Sequence, residues 1–466
     1  MRKKVDLTRK LCSLLLSLEI GSTFAAVQAQ TADTSSSGTS STGVNLDLSS
    51  TQRTTAANTL LGGGAVAINL AGSSVTINST DVLTPAELVA VQQVMTTGTQ
   101  TLQLGPMGNA VGGSINLTNL MPYQSLILPA GVTGLRDFGV ASSLNISGNF
   151  TNAGTFYAVS SVIGSNTAII QAANIFNQPG ALLTTVLPPG GLAGFNNLLS
   201  QVNLTLLAQG IISNAGTISS SGNLTAIAGT SIINAPGPAG LSPVMQAMMN
   251  MNLQALNIVN QGQIQAMQGN MAVAAANLNN SAIMQALVGN LNINNIAGST
   301  LNINNIMGTL QAGGSLDIRT AAQLNEVLNV LGGTLAGSKI AISADKGIQL
   351  DVERIVGPLE LSAPIVRAGV SSGNLLVDKM AANDPMIYNT SGDIVINGAI
   401  ITPGEDLAIV ASGNIIAGKG AGIIDSSSPT GSGGDITMLA GVNFTANGPV
   451  LTVTGASATG GYIDLE

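Results

Sequence analysis

SNAGTISSSGNLTAIAGTSIIN, residues 213–234, decides how this chain is read. The segment has no charge and no aromatic ring. Asn and Gly punctuate short runs in which small aliphatic residues alternate with Ser and Thr. Gly and Asn tolerate the positive φ angles of tight corners, and a period of two puts successive side chains on opposite strand faces. The segment therefore reads as corners around short strands, about one coil of a stack, and its contribution is to pack on the coils before and after it.

Further alternating runs follow Gly, Asn or Asp from about residue 140 onward, among them GGSLDIRTA, GSKIAISAD, GPLELSA and SGDIVING. Their first apolar residues, Leu316, Ile340, Leu359, Leu375, Ile394, Leu407 and Ile436, recur with a mean spacing of 20 residues. A repeat of that length is one turn of a β-solenoid. Leu316 and Ile318 alternate with Asp317 and Arg319, and Leu359 and Leu361 with Glu360 and Ser362. One face is apolar and the other wet, as half-buried strands require. Stacked Asn residues are expected to ladder their amides along the axis. Roughly 14 such turns at about 4.8 Å each predict a rod on the order of 65 Å long. The near-identical tandem LNINNIAGST (291–300) and LNINNIMGTL (301–310) supplies half a coil per copy.

Composition agrees. Of 466 residues, 45% are hydrophobic and 8% charged, the reverse of the balance that keeps chains disordered. Aromatic residues make up 2%, with no Trp, so the core is expected to be thin, repetitive and aliphatic.

Residues 1–29 have the grammar of a secretory signal peptide: Arg2, Lys3, Lys4, Arg9 and Lys10 precede the apolar LCSLLLSLEIGSTFAA, and Val27-Gln28-Ala29 forms the cleavage site. Cleavage near Ala29 leaves 9 basic and 20 acidic residues, a net charge of −11. This acidic balance excludes nucleic acid as a partner, because phosphate binding needs clustered Lys and Arg. Cys12, the single cysteine, leaves with the signal, so the mature protein has no disulfide.

Residues 30–60 read as a Ser/Thr-rich flexible leader and 61–139 as an N-terminal cap region. Thr84 as N-cap, Pro85 at N1 and Glu87 at N3 predict one short helix there, with Leu88, Val91 and Met95 on its apolar face. The solenoid is then expected over 140–241 and 291–466. Between these lies a Met/Gln/Asn-rich insert, residues 242–290, with seven of the chain's 15 methionines and helix-start grammar at Ser242-Pro243. It reads as packed helices or degenerate coils. A second insertion, AAQLNEVLNVLGG (321–333), places Leu324, Val327, Leu328 and Leu331 at helical spacing and stops at Gly332-Gly333. The C-terminal ATGGYIDLE (458–466) is not an evident cap, so the last strand edge is expected to be covered by a continuation of the solenoid or by another subunit.

Chemistry-bearing residues are sparse. The densest ionisable cluster is DVERIVGPLE (351–360), where Asp351 and Glu353 are expected on one strand face and Arg354 on the other. Asp425 and Asp435 follow Gly-rich turns without the nine-residue period of calcium-binding coils, so they read as corners. N-x-S/T triplets at Asn149, Asn203, Asn223 and Asn443 arise wherever a corner Asn precedes an inward aliphatic and an outward Thr. The absence of His removes the commonest general base and the usual zinc ligand. The expectation is no catalytic residue, no cofactor and no metal site.

The phrases GTISSSGNLTAIAGTSIIN (216–234), SGDIVINGAIITPGEDLAIVASGNIIAGKGAGI (391–423) and GSGGDITMLAGVNF (431–444) resemble the filamentous-hemagglutinin-like family of exported bacterial proteins. The resemblance spans most of residues 140–466, although the chain has no Asn-Pro pair and so lacks that family's Asn-Pro-Asn motifs. It implies an all-β fold, a right-handed parallel β-helix, and a secreted or cell-surface adhesin or exoprotein with an outer-membrane export partner. The functional expectation is a non-enzymatic, adhesin-like or structural protein that meets an extracellular glycan, matrix or cell-surface ligand through an extended repetitive face. Self-association through the solenoid ends is a further expectation. Two alternatives stand beside it: a carbohydrate-active enzyme on a β-helix, and a passive passenger of a larger exoprotein.

Overall fold

The computed structural model describes the strands Ala67–Ala71, Ser74–Asn78, Thr101–Leu104 and Ser114–Asn116, and the chain from Ser125 to Leu465 except residues 129, 131–132, 190, 192–199, 239, 321–325, 419–421 and 448–449. Strand accounts for 62% and no helix occurs among the described residues, so the fold is all-β. Parallel strands stack into a β-solenoid of about 13 turns, close to the roughly 14 expected from the repeat length.

Each coil in the middle of the stack contributes to three strand columns. Leu224–Ala228, Ser231–Asn234 and Val244–Ala247 form one coil; in the next, Met251–Asn260 fills the first two columns and Gln263–Ala266 the third. Register is strict. In the first column Leu224 lies opposite Met251, Met271 and Leu291 in succession; in the second, Ile232 opposite Ile258, Leu278 and Ile303; in the third, Met245 opposite Ile264, Met284 and Leu310. All of these side chains are buried. Each contributes roughly 1.5–3 kcal/mol of transfer energy before ordering entropy is subtracted. The first two columns belong to a 30-stranded sheet, the third to an 11-stranded sheet ending at Arg354–Val356. Beyond it the next coils have two strands, as in Leu359–Ser362 followed by Ile365–Val370.

At the corner between the second and third columns stands a buried polar ladder. Asn152, Asn177, Asn214, Asn234, Asn260, Asn280 and Asn305 are each at most 2% exposed. Every Nδ2 in the series donates to the Oδ1 of the next Asn at 2.7–2.8 Å. Each also donates to a backbone carbonyl, as Asn260 does to Ile283 O at 3.0 Å, while its Oδ1 accepts the Gly262 N–H at 3.2 Å. Buried amides are tolerated only when both ends are satisfied, and here every rung satisfies the one before it. The ladder stops at Asn305 because the next coil places Gly332 and Gly333 at that corner, with φ of 74° and 65°. A Cβ on Gly333 would collide with Asn305 O.

The tandem at 291–310 divides as expected: Leu291–Asn295 lies in the first column and Asn302–Asn304 in the second. Other expectations are corrected. Residues 242–290 are not an insert; they form regular coils, with Val244–Ala247, Gln263–Ala266 and Ile283–Ala286 in the third column. Met245, Met251, Met271 and Met284 take buried positions in these strands, as the strand period requires, and Pro243 precedes a strand because neighbouring coils offer backbone hydrogen bonds that an isolated helix start cannot match. Nor do the described residues of the expected helical insertion, 326–333, form a helix; its first part, 321–325 with Leu324, lies outside the described residues. Val327–Leu331 is a strand that buries Leu328 and Val330, paired to Asn302–Asn304 on one side and to Gly347–Val352 on the other. The same apolar residues fit both periods, and pairing on both edges selects the strand. Parallel stacking also begins before residue 140, since Thr101–Leu104 pairs with Ser125–Leu128 and Ser114–Asn116 with Thr133–Asp137. The expected signal peptide, leader and Thr84-capped helix lie outside the described residues.

Near the C-terminal end an antiparallel hairpin, Val442–Asn447 and Val450–Ala456, folds over the outer face of the second column. Phe444 and Leu451 cover Met386, Tyr388 and Val410 in a small second core outside the main one. The Phe444 and Tyr388 rings meet edge to face, with centroids 6.2 Å apart.

Candidate binding faces

Between Asp137 and Asp317 the sequence contains no Asp, Glu, Lys, Arg or His. Stacking turns that absence of charge into a continuous surface. On the outer face of the first column, Ile169, Thr205, Thr225, Asn252, Ala272 and Asn292 stand in one line along the stack before Asp317 continues it. A parallel line runs through Gln171, Leu207, Ile227, Gln254, Ala274 and Asn294 to Arg319.

Surface amides link the coils. Asn223 accepts the Asn250 N–H at 3.0 Å, Asn250 accepts the Asn270 N–H at 2.9 Å, and Asn270 accepts the Asn290 N–H at 2.8 Å. On the second column Asn277 donates to Asn257 at 3.0 Å, and Asn329 to Asn302 at 3.1 Å. On the third, Gln265 donates to Gln246 and Gln285 to Gln265, each at 3.1 Å. These rows line up amide groups at the spacing of the coils.

A cleft of about 300 Å³ opens at the corner lined by Ser160, Thr185, Pro188, Pro189, Val202 and Ser221. Its hydroxyls are engaged within the protein: Thr185 donates to Val202 O at 2.9 Å and Ser160 to Gly139 O at 2.7 Å. The cleft is therefore a joint between coils rather than a set of free donors.

From Asp317 onward the same faces become charged. Lys339 pairs with Glu360 at 2.8 Å, and that hydrogen bond raises the pKa of the exposed ammonium. Arg319 meets Asp317 at 3.4 Å, and Arg367 meets Asp384 at 2.8 Å. Each pair has at least one exposed partner, and pairs of this kind contribute little to stability and mainly keep the surface wet.

The cluster singled out in the sequence is dispersed. Asp351 sits in the strand Gly347–Val352, Glu353 at the corner, and Arg354 begins a strand of the other sheet, so Asp351 and Glu353 do not share a strand face. Asp351 stands instead in line with Gly369 and Tyr388 on successive coils. Gly369 is required there because a Cβ would collide with the Tyr388 ring, which lies across it. Coil packing withdraws water from the Asp351 carboxyl and raises its pKa. Burial, with the Asp351 charge adding to it, pushes the Tyr388 phenol up to about 12.

Because folding raises the Tyr388 pKa, the unfolded chain releases this proton first, and its contribution to stability declines as pH rises from about 10 through about 12. Spectrophotometric titration is expected to show one tyrosine ionising near 12, and Phe444→Ala, which uncovers the ring, to bring that step back toward 10. An unchanged step in the variant would remove the hairpin as its cause.

Asp425 and Asp435 are separate corners. The Asp425 carboxyl accepts hydrogen bonds from Ser427, which lower its pKa, and the Asp435 N–H donates to Asp406 at 2.8 Å. Among the described residues no group of three His, Cys, Asp or Glu is placed to hold a metal ion. Sequence reading missed the Gln246–Gln265–Gln285 row, although Gln265 and Gln285 are one coil length apart, and missed Tyr388 with Phe444, which no repeat links.

The fold and its neutral faces define a parallel β-solenoid. Comparison with protein-family models, with curated proteins and with solved structures gives no match.

Proposed function

We propose that this protein is a non-enzymatic, adhesin-like solenoid that works outside the cell, after signal cleavage near Ala29, and binds a neutral glycan, matrix or cell-surface ligand along the outer face of the first column. The observation that carries this reading is the unbroken neutral line from Ile169 through Thr205, Thr225 and Asn252 to Asn292, where every coil offers small hydroxyl, amide or aliphatic groups in register. A ligand with its own repeat gains from many weak contacts held at fixed spacing, an advantage that grows with the number of coils engaged. The resemblance of residues 140–466 to filamentous-hemagglutinin-like exoproteins supports the extracellular address.

The test is a screen of the secreted protein against neutral glycans and matrix proteins, with Thr205→Lys/Thr225→Lys as the comparison. Binding that falls at least tenfold in the variant, with unchanged circular dichroism, is the expected result. A ligand bound equally by both proteins would place the site elsewhere. Turnover of a polysaccharide would replace the binding reading with the enzymatic one.

A further inference from the structure

The outer face of the third column has a different character. Five strands, Val244–Ala247, Gln263–Ala266, Ile283–Ala286, Thr309–Ala312 and Thr334–Ala336, lie in register. Their outward centre line reads Gln246, Gln265, Gln285, Gln311, Ala336, the first three joined amide to amide. Exposed apolar side chains rim this line. Met248 (42%), Leu287 (45%) and Val288 (64%) stand on one edge, and Ile306 (49%) and Met307 (80%) on the other. Met307 is also the only non-glycine residue with positive φ, 64°, among the described residues. A strained backbone that holds an apolar side chain out in water points to a use for it.

We propose that this face is an interface between two copies of the chain, related by a twofold axis through the Gln285 row and perpendicular to the stack. Three observations select a second copy as the occupant. First, an in-register glutamine row is complementary to itself, since each amide offers both donor and acceptor and identical rows interdigitate. Second, nothing in the five strands carries charge, so like faces meet without repulsion. Third, among the described residues 12 acidic and 5 basic ones, from Lys339 onward, lie past the last of these strands, on one side of the face. A twofold axis turns the stacks antiparallel and sends the two acidic parts to opposite ends. A face of about 24 Å by about 20 Å buries roughly 1,000 Å² in total, at the lower bound for a specific interface, so the dimer is weak and concentration-dependent. This face is separate from the first-column ligand line.

Sedimentation velocity on the full chain tests it. Dimer is expected at about 100 µM, in the range of weak interfaces. Gln285→Lys and Gln285→Glu are each expected to weaken dimerisation at least tenfold, because each places like charges across the axis. An equimolar mixture of the two is expected to recover it, a rescue that a folding defect cannot produce. Thr225→Lys, on the ligand line, is expected to leave dimerisation unchanged, so failure of the proposed ligand reading and failure of this one are told apart. A wild-type chain that stays monomeric at that concentration, a Gln285→Lys variant that dimerises normally, or a mixture that stays monomeric overturns the proposal.

Discussion

Replacing Asn260 with alanine is expected to destabilise the coils around it by about 3–5 kcal/mol, far more than the loss of an exposed amide. Asn260 is fully buried and takes part in four hydrogen bonds: it accepts from Asn234 Nδ2 and the Gly262 N–H, and donates to Asn280 Oδ1 and Ile283 O. Alanine removes all four and leaves the Gly262 N–H and Asn280 Oδ1 without this partner in a site that excludes water. Each buried group left unsatisfied costs about 1–3 kcal/mol. Asn277→Ala, on the exposed amide row, is the control, and there water replaces the lost partner at a cost of no more than about 0.5 kcal/mol. Because long repeat stacks need not unfold in a single step, the measurement is hydrogen exchange at the amides of Met251–Asn260 and Met271–Asn280. A difference of less than about 1 kcal/mol between the two variants would show the ladder to be incidental.

The second large effect concerns register. Removing residues 271–290 is expected to leave a folded stack one coil shorter. Leu291 then takes the place of Met271 against Met251, Asn302 that of Asn277 against Asn257, and Thr309 that of Ile283 against Gln263. The internal ladder closes again, with Asn305 below Asn260 in the position Asn280 held. The loss is one nearest-neighbour interface among about 13 turns. Removing only 271–280 is expected to break the stack, because a first-and-second-column strand disappears while its third-column continuation stays. Limited proteolysis with circular dichroism separates the outcomes: a resistant core with nearly full β signal for the longer deletion, rapid cleavage near the junction for the shorter. Equal sensitivity of both variants would show that the coil is not the unit of stability.

These two sites also show how far the sequence speaks for itself. Asn214 and Asn234 stand in the segment 213–234, each two residues after a buried isoleucine, Ile212 or Ile232, and mark the corner where the ladder forms. Their separation equals the coil length, so fold and ladder were both legible. The methionine-rich coils were harder to read. Met245, Met251, Met271 and Met284 fill the core as leucines do, but methionine favours helices, and a proline after serine imitates a helix start. Stacking on both edges overrides that local preference. The same holds at 327–331, where Leu328 and Val330 fit either period until their neighbours on each side are known. The candidate faces were only partly visible. Neutral composition could be read directly, but which neutral residues share a face depends on coils of unequal length: Ala168 meets Leu204, whereas Leu204 meets Leu224. Tyr388 and Phe444 come together through a hairpin that breaks the repeat, and periodicity cannot foresee a break.

The internal ladder runs one way. Every amide from Asn152 to Asn280 gives its proton toward the C-terminal side and receives one there from no other rung. Among the described residues the two ends of the series are chemically unlike: the Asn152 oxygen accepts from the Gly154 N–H and from no rung, and the Asn305 amide donates to carbonyls such as Thr334 O. Every rung points the same way along the coils, so the stack carries a sense of direction written into its side chains as well as its backbone.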